Sequence, residues 1–173
     1  MSATAVGVVG VGNMGLAMVE RLLELGSEVH VRDVDAAREA LAARAGAHAA
    51  PTPAALAGRC ATVIVAVVDA AQAEDVLFGS AGAAAALAPG ACVVLCPTIA
   101  PESVESIVGR LDALAVDWIE APMSGGPARA RAGTMSLMVA CRDAVFARHQ
   151  PLLARLGDAD DSCLLERARW RRR

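Results

Sequence analysis

The sequence predicts an α/β fold: a doubly wound, mostly parallel sheet with helices on both faces. Three observations predict it. Short apolar runs rich in β-branched residues recur at Thr4–Val9, Thr62–Val68 and Ala91–Leu95, with helix-forming stretches between them. The run Thr62–Val68, T-V-I-V-A-V-V, is apolar as a strand covered on both faces must be. The first run leads straight into G-V-G-N-M-G, a glycine turn that opens a helix.

That turn fixes the first unit. Gly10 allows a tight reversal, and Gly12 lets backbone approach a bound pyrophosphate. Gly15 lets the helix lie close to the strand, and the helix start offers free N–H groups and a partial positive charge to an anion. Gly10, Val11, Gly12, Asn13, Met14 and Gly15 are therefore candidate dinucleotide-binding residues. The helix Asn13–Leu25 closes at Gly26, and Ser27–Asp33 reads as a second strand. Asp33 stands eighteen residues after Gly15, near the ~20 expected of the acidic residue that binds an adenosine ribose. Arg32 before it offers a guanidinium suited to the 2′-phosphate of NADP. The alternative is that both are ordinary solvated loop residues. With Asp33 at the strand end, NAD is favoured over NADP.

The following elements continue the alternation. Val34–Ala45 reads as a helix with Leu41 facing inward, stopped by Gly46, and a short helix spans Pro53–Ala57. Asp69 caps a helix carrying Gln72 and ending near Phe78-Gly79, and the alanine-rich Ser80–Ala88 reads as helical up to Pro89-Gly90. Strands are expected at Ala91–Leu95, Val116–Ala121 and Met135–Cys141. Helices are expected at Glu102–Leu114, started by Pro101, and at Arg142–Gly157, interrupted or restarted at Pro151. Glu120–Thr134 reads either as a flexible surface loop or as an anion site, since Ser124, Gly125 and Gly126 can present successive N–H groups and a hydroxyl.

Composition narrows the function. The net charge of -3 gives no case for nucleic acid, and no apolar stretch is long enough to span a membrane. The five cysteines form no C-x-x-C pair, and no histidine lies near Cys92 or Cys96, so no metal site is indicated. Scattered thiols without a signal peptide read as a cytoplasmic protein. All sixteen basic residues are Arg, and lysine is absent. Residues 1–157 read as one domain, and 158–173 as a tail whose last seven residues hold five Arg and one Trp. The tail is read as a disordered or non-native end, against an anionic-polymer arm.

Together V-G-V-G-N-M-G-L-A-M, the turn P-T-I-A-P and A-P-M-S-G-G-P-A-R-A-R-A-G-T-M resemble the β-hydroxyacid dehydrogenases, over about residues 4–157. Ala70–Gly79 is most similar to the L-threonate dehydrogenase branch. The resemblance implies a Rossmann-like NAD(P) domain whose Val67, Val68 and Gln72 flank the adenosine side. It places Thr98 near the nicotinamide ribose, although Pro97 replaces the usual Ser. It implies that Ser124, Gly125 and Gly126 hold the carboxylate of a small hydroxy acid and that Arg129 contacts a second polar end. After Gly157 the resemblance stops, and with it the family's catalytic lysine and all-helical domain. The end is therefore read as a truncation or frameshift. Three functions are expected in descending order: a hydroxyacid dehydrogenase cofactor domain that binds without full turnover and self-associates through uncovered apolar surface, a non-catalytic dinucleotide module, and an anionic-polymer binder.

Overall fold

The computed structural model describes residues 5–157. A six-stranded parallel sheet has the order β3-β2-β1-β4-β5-β6. Its strands are β1 (Val6–Val9), β2 (Val29–Arg32), β3 (His48–Ala49), β4 (Thr62–Val65), β5 (Cys92–Leu95) and β6 (Asp117–Glu120). The chain moves outward through β2 and β3, returns to place β4 beside β1, and then moves out the other way. Adjacent β1 and β4 thus mark the switch point, where loops leave in opposite directions and open a crevice.

Two apolar layers cover the sheet. Val8, Val31, Ile64 and Val94 face one layer with α1 (Asn13–Glu24). Val9, Val63, Val65 and Val93 face the other with α3 (Pro53–Ala57), α4 (Ala70–Phe78) and α5 (Pro101–Ala113). β1, β4 and β5 are buried along their whole length, which explains the uniformly apolar runs. Buried Cys60 and Cys96 behave as small apolar residues. Burial pushes the Cys96 thiol up to about 12; burial and then the Glu28 charge push Cys60 up to about 11. Cys141 is half-buried, and Cys163 and the Arg-rich end lie outside the described residues.

Several elements differ from expectation. α2 covers Ala36–Ala45, because Asp35 caps it by accepting from Ala37 N at 2.8 Å; this start turns Ala42 inward and leaves Leu41 38% exposed. Ser80–Ala88 holds only a 3₁₀ turn at Ala84–Ala86. Gly82 N and Ala83 N donate back to Gly79 O and Val76 O, so this segment folds onto the end of α4 instead of forming its own helix. β3 was not anticipated, since its two exposed residues carry no apolar signal.

The Glu120–Thr134 stretch is no loose loop. It contains β7 (Met123–Ser124) and α6 (Gly126–Ala132). Met135–Cys141 is not a sheet strand throughout. Only Ser136–Leu137 is strand (β8), antiparallel to β7, and Ala140 then exchanges two hydrogen bonds with Glu120. Met135, Leu137 and Val139 are buried and Met138 is exposed, so the alternation was legible while the change of partner was not.

α7 (Asp143–Leu156) passes through Pro151 without a break, contrary to the expected interruption. Arg142, at its start, pairs with Asp117 at the beginning of β6. Arg155, near its end, donates to Ser27 Oγ just before β2. Fourteen helical residues span ~21 Å, matching the ~19 Å across four strand spacings. α7 therefore lies beneath the N-terminal edge of the sheet.

His149 on α7 has a buried Nε2 with no hydrogen-bond partner among the described residues. Burial, and then the Arg148 guanidinium, hold its pKa below the ordinary 6.5, with Asp117 opposing. A base kept neutral by folding takes up protons more readily when unfolded, so its contribution is full above that value and lost as pH falls through it. The thermal midpoint should fall as pH drops below about 6.5, and His149→Gln should flatten that dependence in a calorimetric melt.

Candidate functional site

A cleft of about 510 Å³ opens at the switch point, on the carboxyl edge of the sheet. Its floor is Val9-Gly10 at the end of β1 and Ala66-Val67 directly after β4. Gly10 has φ +91°, and a Cβ there would lie 2.6 Å from Ala66 O. A Cβ on Gly15 would collide with Gly10 O, so only glycine permits α1 to rest this close to the turn. Gly12 is different: a Cβ there meets nothing within 4 Å. The described residues impose no steric need for glycine at 12, and the space beside it opens to the cleft.

The start of α1 faces that space without protein compensation. Gly12 caps it with no side chain, and its first turn holds no acidic residue. The helical ladder begins with Leu16 N donating to Gly12 O at 2.9 Å, leaving the amides of Asn13, Met14 and Gly15 ahead of it. α2, α3 and α4 are capped by Asp35, Thr52 and Asp69, whereas α1 shares the lack of a side-chain cap with α5, α6 and α7 and differs from them in standing behind Gly12 at the cleft. An uncapped helix end beside an open cleft suits a pyrophosphate.

Asp33 is the hinge of the opposite wall. Val11 N donates to its Oδ2 at 2.5 Å and Asp35 N to its Oδ1 at 2.9 Å. The carboxylate that the sequence assigns to a ribose thus also fixes the glycine turn. Arg32 donates through Nη1 to Glu39 Oε1 at 2.9 Å, and the same oxygen accepts from Asp33 N at 3.0 Å. Across the cleft, Val68 N donates to Gln72 Oε1 at 3.1 Å, which holds the β4–α4 loop.

Gly10, Gly12, Arg32, Asp33, Val67, Val68 and Gln72 all line the cleft. Val11 and Gly15 are buried beneath it. Met14 is half-buried against the core, and exposed Asn13 accepts from Arg38 at 3.2 Å. Thr98 is exposed beyond the end of β5 and lies outside the cleft. Ser124, Gly125, Gly126 and Arg129 lie further along the same edge, where β7 leads into α6. The Arg129 side chain folds back over Gly125: a Cβ there would lie 2.8 Å from Arg129 Cδ. α6 is held on α1, with Arg131 paired to Glu20 and Arg21 packed against Gly133.

Sequence reasoning missed Val34, Thr52, Asp75 and Ser80, which also line the cleft. Val34 had a signal, as an apolar residue directly after the strand-end acid. It is 95% exposed, and Val68 opposite is 80% exposed. The other three reach the cleft from the start of α3 (Thr52), from within α4 (Asp75) and from the turn after α4 (Ser80), positions that only the fold brings together.

Comparison with known proteins agrees with this geometry. The family described as the NAD binding domain of 6-phosphogluconate dehydrogenase matches residues 5–166. The chain belongs to that family. It is 37% identical over 149 residues to L-threonate dehydrogenase of Cupriavidus necator, covering 86% of this chain and 50% of the relative. A crystal structure of 3-hydroxyisobutyrate dehydrogenase from Salmonella typhimurium superposes with a TM-score of 0.83 at 32% identity, covering 89% of this chain and 54% of that one. Psf3, solved with NADP+ and 2-OPP, gives 0.84 at 33% identity, covering 88% and 54%. The chain spans about half the length of the curated relatives it matches. NAD or NADP fits the domain, and among the described residues no helix is long and apolar enough to cross a membrane.

The glycines separate binding from folding. If the cleft holds the dinucleotide, Gly12→Ala should weaken NAD by roughly ten-fold or more while costing at most about 1 kcal/mol of stability, through a poorer N-cap. Gly15→Ala should cost about 1–3 kcal/mol of stability through overpacking. Denaturant unfolding and calorimetric titration of both variants check the contrast.

Proposed function

We propose that the chain is the cofactor-binding part of a hydroxyacid dehydrogenase, in which a hydride passes between a nicotinamide ring and the carbinol carbon of a small hydroxy acid. The observation that carries this reading is the uncapped start of α1 behind Gly12, facing a cleft whose other wall holds Asp33. The similarity to L-threonate and 3-hydroxyisobutyrate dehydrogenases supports the substrate class.

In this reading each residue has a binding or orienting role. The α1 amides take the pyrophosphate. Asp33 accepts from the adenosine ribose hydroxyls, which favours NAD over a 2′-phosphorylated cofactor by charge repulsion. Val34 and Val68, otherwise stranded in water, cover the adenine faces. Thr98 lies toward the nicotinamide ribose. Ser124, Gly125 and Gly126 receive the substrate carboxylate, and Arg129, whose aliphatic stem lies over Gly125, meets a second polar end.

When bound, the nicotinamide supplies or accepts the hydride; a separate group must move the proton at the substrate hydroxyl. These 173 residues contain no lysine, and arginine holds its proton too firmly for that task. The histidines do not line the cleft either: His30 and His48 sit within β2 and β3, and His149 beneath the opposite sheet edge. In this reading the chain on its own binds cofactor without full turnover.

Calorimetric titration of the purified chain should show NAD binding more tightly than NADP, and Asp33→Asn should weaken NAD more than NADP. Incubation with NAD and L-threonate should give no NADH absorbance at an ordinary enzymatic rate. Binding of neither cofactor refutes the cleft assignment, and normal turnover refutes the separation of binding from catalysis.

A further inference from the structure

The geometry points to Glu39 as a determinant of cofactor preference: it holds the Arg32 guanidinium away from the 2′ position of the adenosine ribose. This rests on the cleft being the dinucleotide site. Arg32 ends β2, directly before Asp33, and lines the cleft. A guanidinium there is suited to pair with a 2′-phosphate. In this chain it is already engaged, through Nη1 to Glu39 Oε1 at 2.9 Å.

Glu39 is firmly held in turn. The oxygen that takes Arg32 also accepts from Asp33 N at 3.0 Å, and the side chain is only 17% exposed. Glu39 stands in the first turn of α2, where the helix dipole favours a carboxylate. One side chain thus neutralises Arg32 and fixes the backbone of Asp33, leaving the Asp33 and Asp35 carboxylates uncompensated by Arg32 on that wall. The neighbouring groups do not replace the lost cation. Asp33 and Asp35 are acidic, Val34 has no side-chain donor, and Arg38 is turned to Asn13 Oδ1 at 3.2 Å. A 2′-phosphate entering here meets carboxylates and an engaged guanidinium, whereas a 2′-hydroxyl meets an acceptor.

The test is calorimetric affinity for NAD and NADP on the 173-residue chain, its Glu39→Gln variant and the Glu39→Gln/Arg32→Gln double variant. Glu39→Gln keeps an acceptor for Asp33 N while removing the charge. It should narrow the NAD-over-NADP ratio by about ten-fold, the scale of one hydrogen bond to a charged group, mainly by tightening NADP. In the double variant the narrowing should vanish. An unchanged ratio in Glu39→Gln overturns the inference. Narrowing that persists without Arg32 also overturns it, because Glu39 would then act only as a repelling charge. If Glu39→Gln does not fold by circular dichroism, Glu39→Asp draws the carboxylate back by one methylene and should narrow the ratio in the same direction; a folded Glu39→Asp with an unchanged ratio is equally contrary. Failure of the wild-type chain to bind either cofactor removes the cleft reading and this inference with it. NAD binding with unaltered ratios removes the inference alone.

Discussion

The close approach of α1 to the end of β1 governs the rest of the structure. Gly15 has no room for a Cβ against Gly10 O, and Gly10 has none against Ala66 O. Three backbone segments therefore meet at van der Waals distance where side chains would otherwise separate them. This closeness brings the α1 amides to the sheet edge and places β4 beside β1, so the crevice opens directly over the helix start. It also brings Val11 N within reach of the Asp33 carboxylate, which joins β2 to the same point. The shape of the cleft is a consequence of backbone contact, with Gly10 and Gly15 pressed against protein and Gly12 against open space.

Local sequence made the central part of this fold legible. Strands β1, β4 and β5 are buried on both faces, and continuous apolar runs announce such strands. The glycine turn and Asp33 could be placed together at the cleft because the fingerprint that the sequence resembles sets residue types at a fixed spacing. The periphery was less legible for identifiable reasons. β3 consists of two exposed residues whose strand character comes from β2 alone. Met135–Cys141 has the alternation of a strand but divides its hydrogen bonds between β7 and Glu120. The alanines of Ser80–Ala88 favour a helix locally, but backbone bonds to the end of α4 and burial of Ala83, Ala84 and Leu87 fix another path.

Within the site, side-chain partnerships were the hidden layer. Arg32 and Asp33 stand side by side in the sequence with opposing implications for the cofactor. Only the fold brings Glu39, one turn into α2, onto both of them. Val34 and Val68 lie far apart in the chain and become a pair only across the switch point. In the same way, Arg129 comes to lie over Gly125 through the direction in which helical side chains lean.

The two borders of the sheet bear on how the chain behaves at high concentration. On one border the last strand is two residues long, and on the other the backbone of Glu120 is already bonded to Ala140. Neither offers a second molecule a long row of free amides and carbonyls to extend. Aggregation by edge-to-edge strand addition is therefore suppressed in the folded state, even though runs such as T-V-I-V-A-V-V would be prone to it if exposed. Conditions that open the sheet, rather than conditions that merely crowd the folded chain, are where fibrous association would begin.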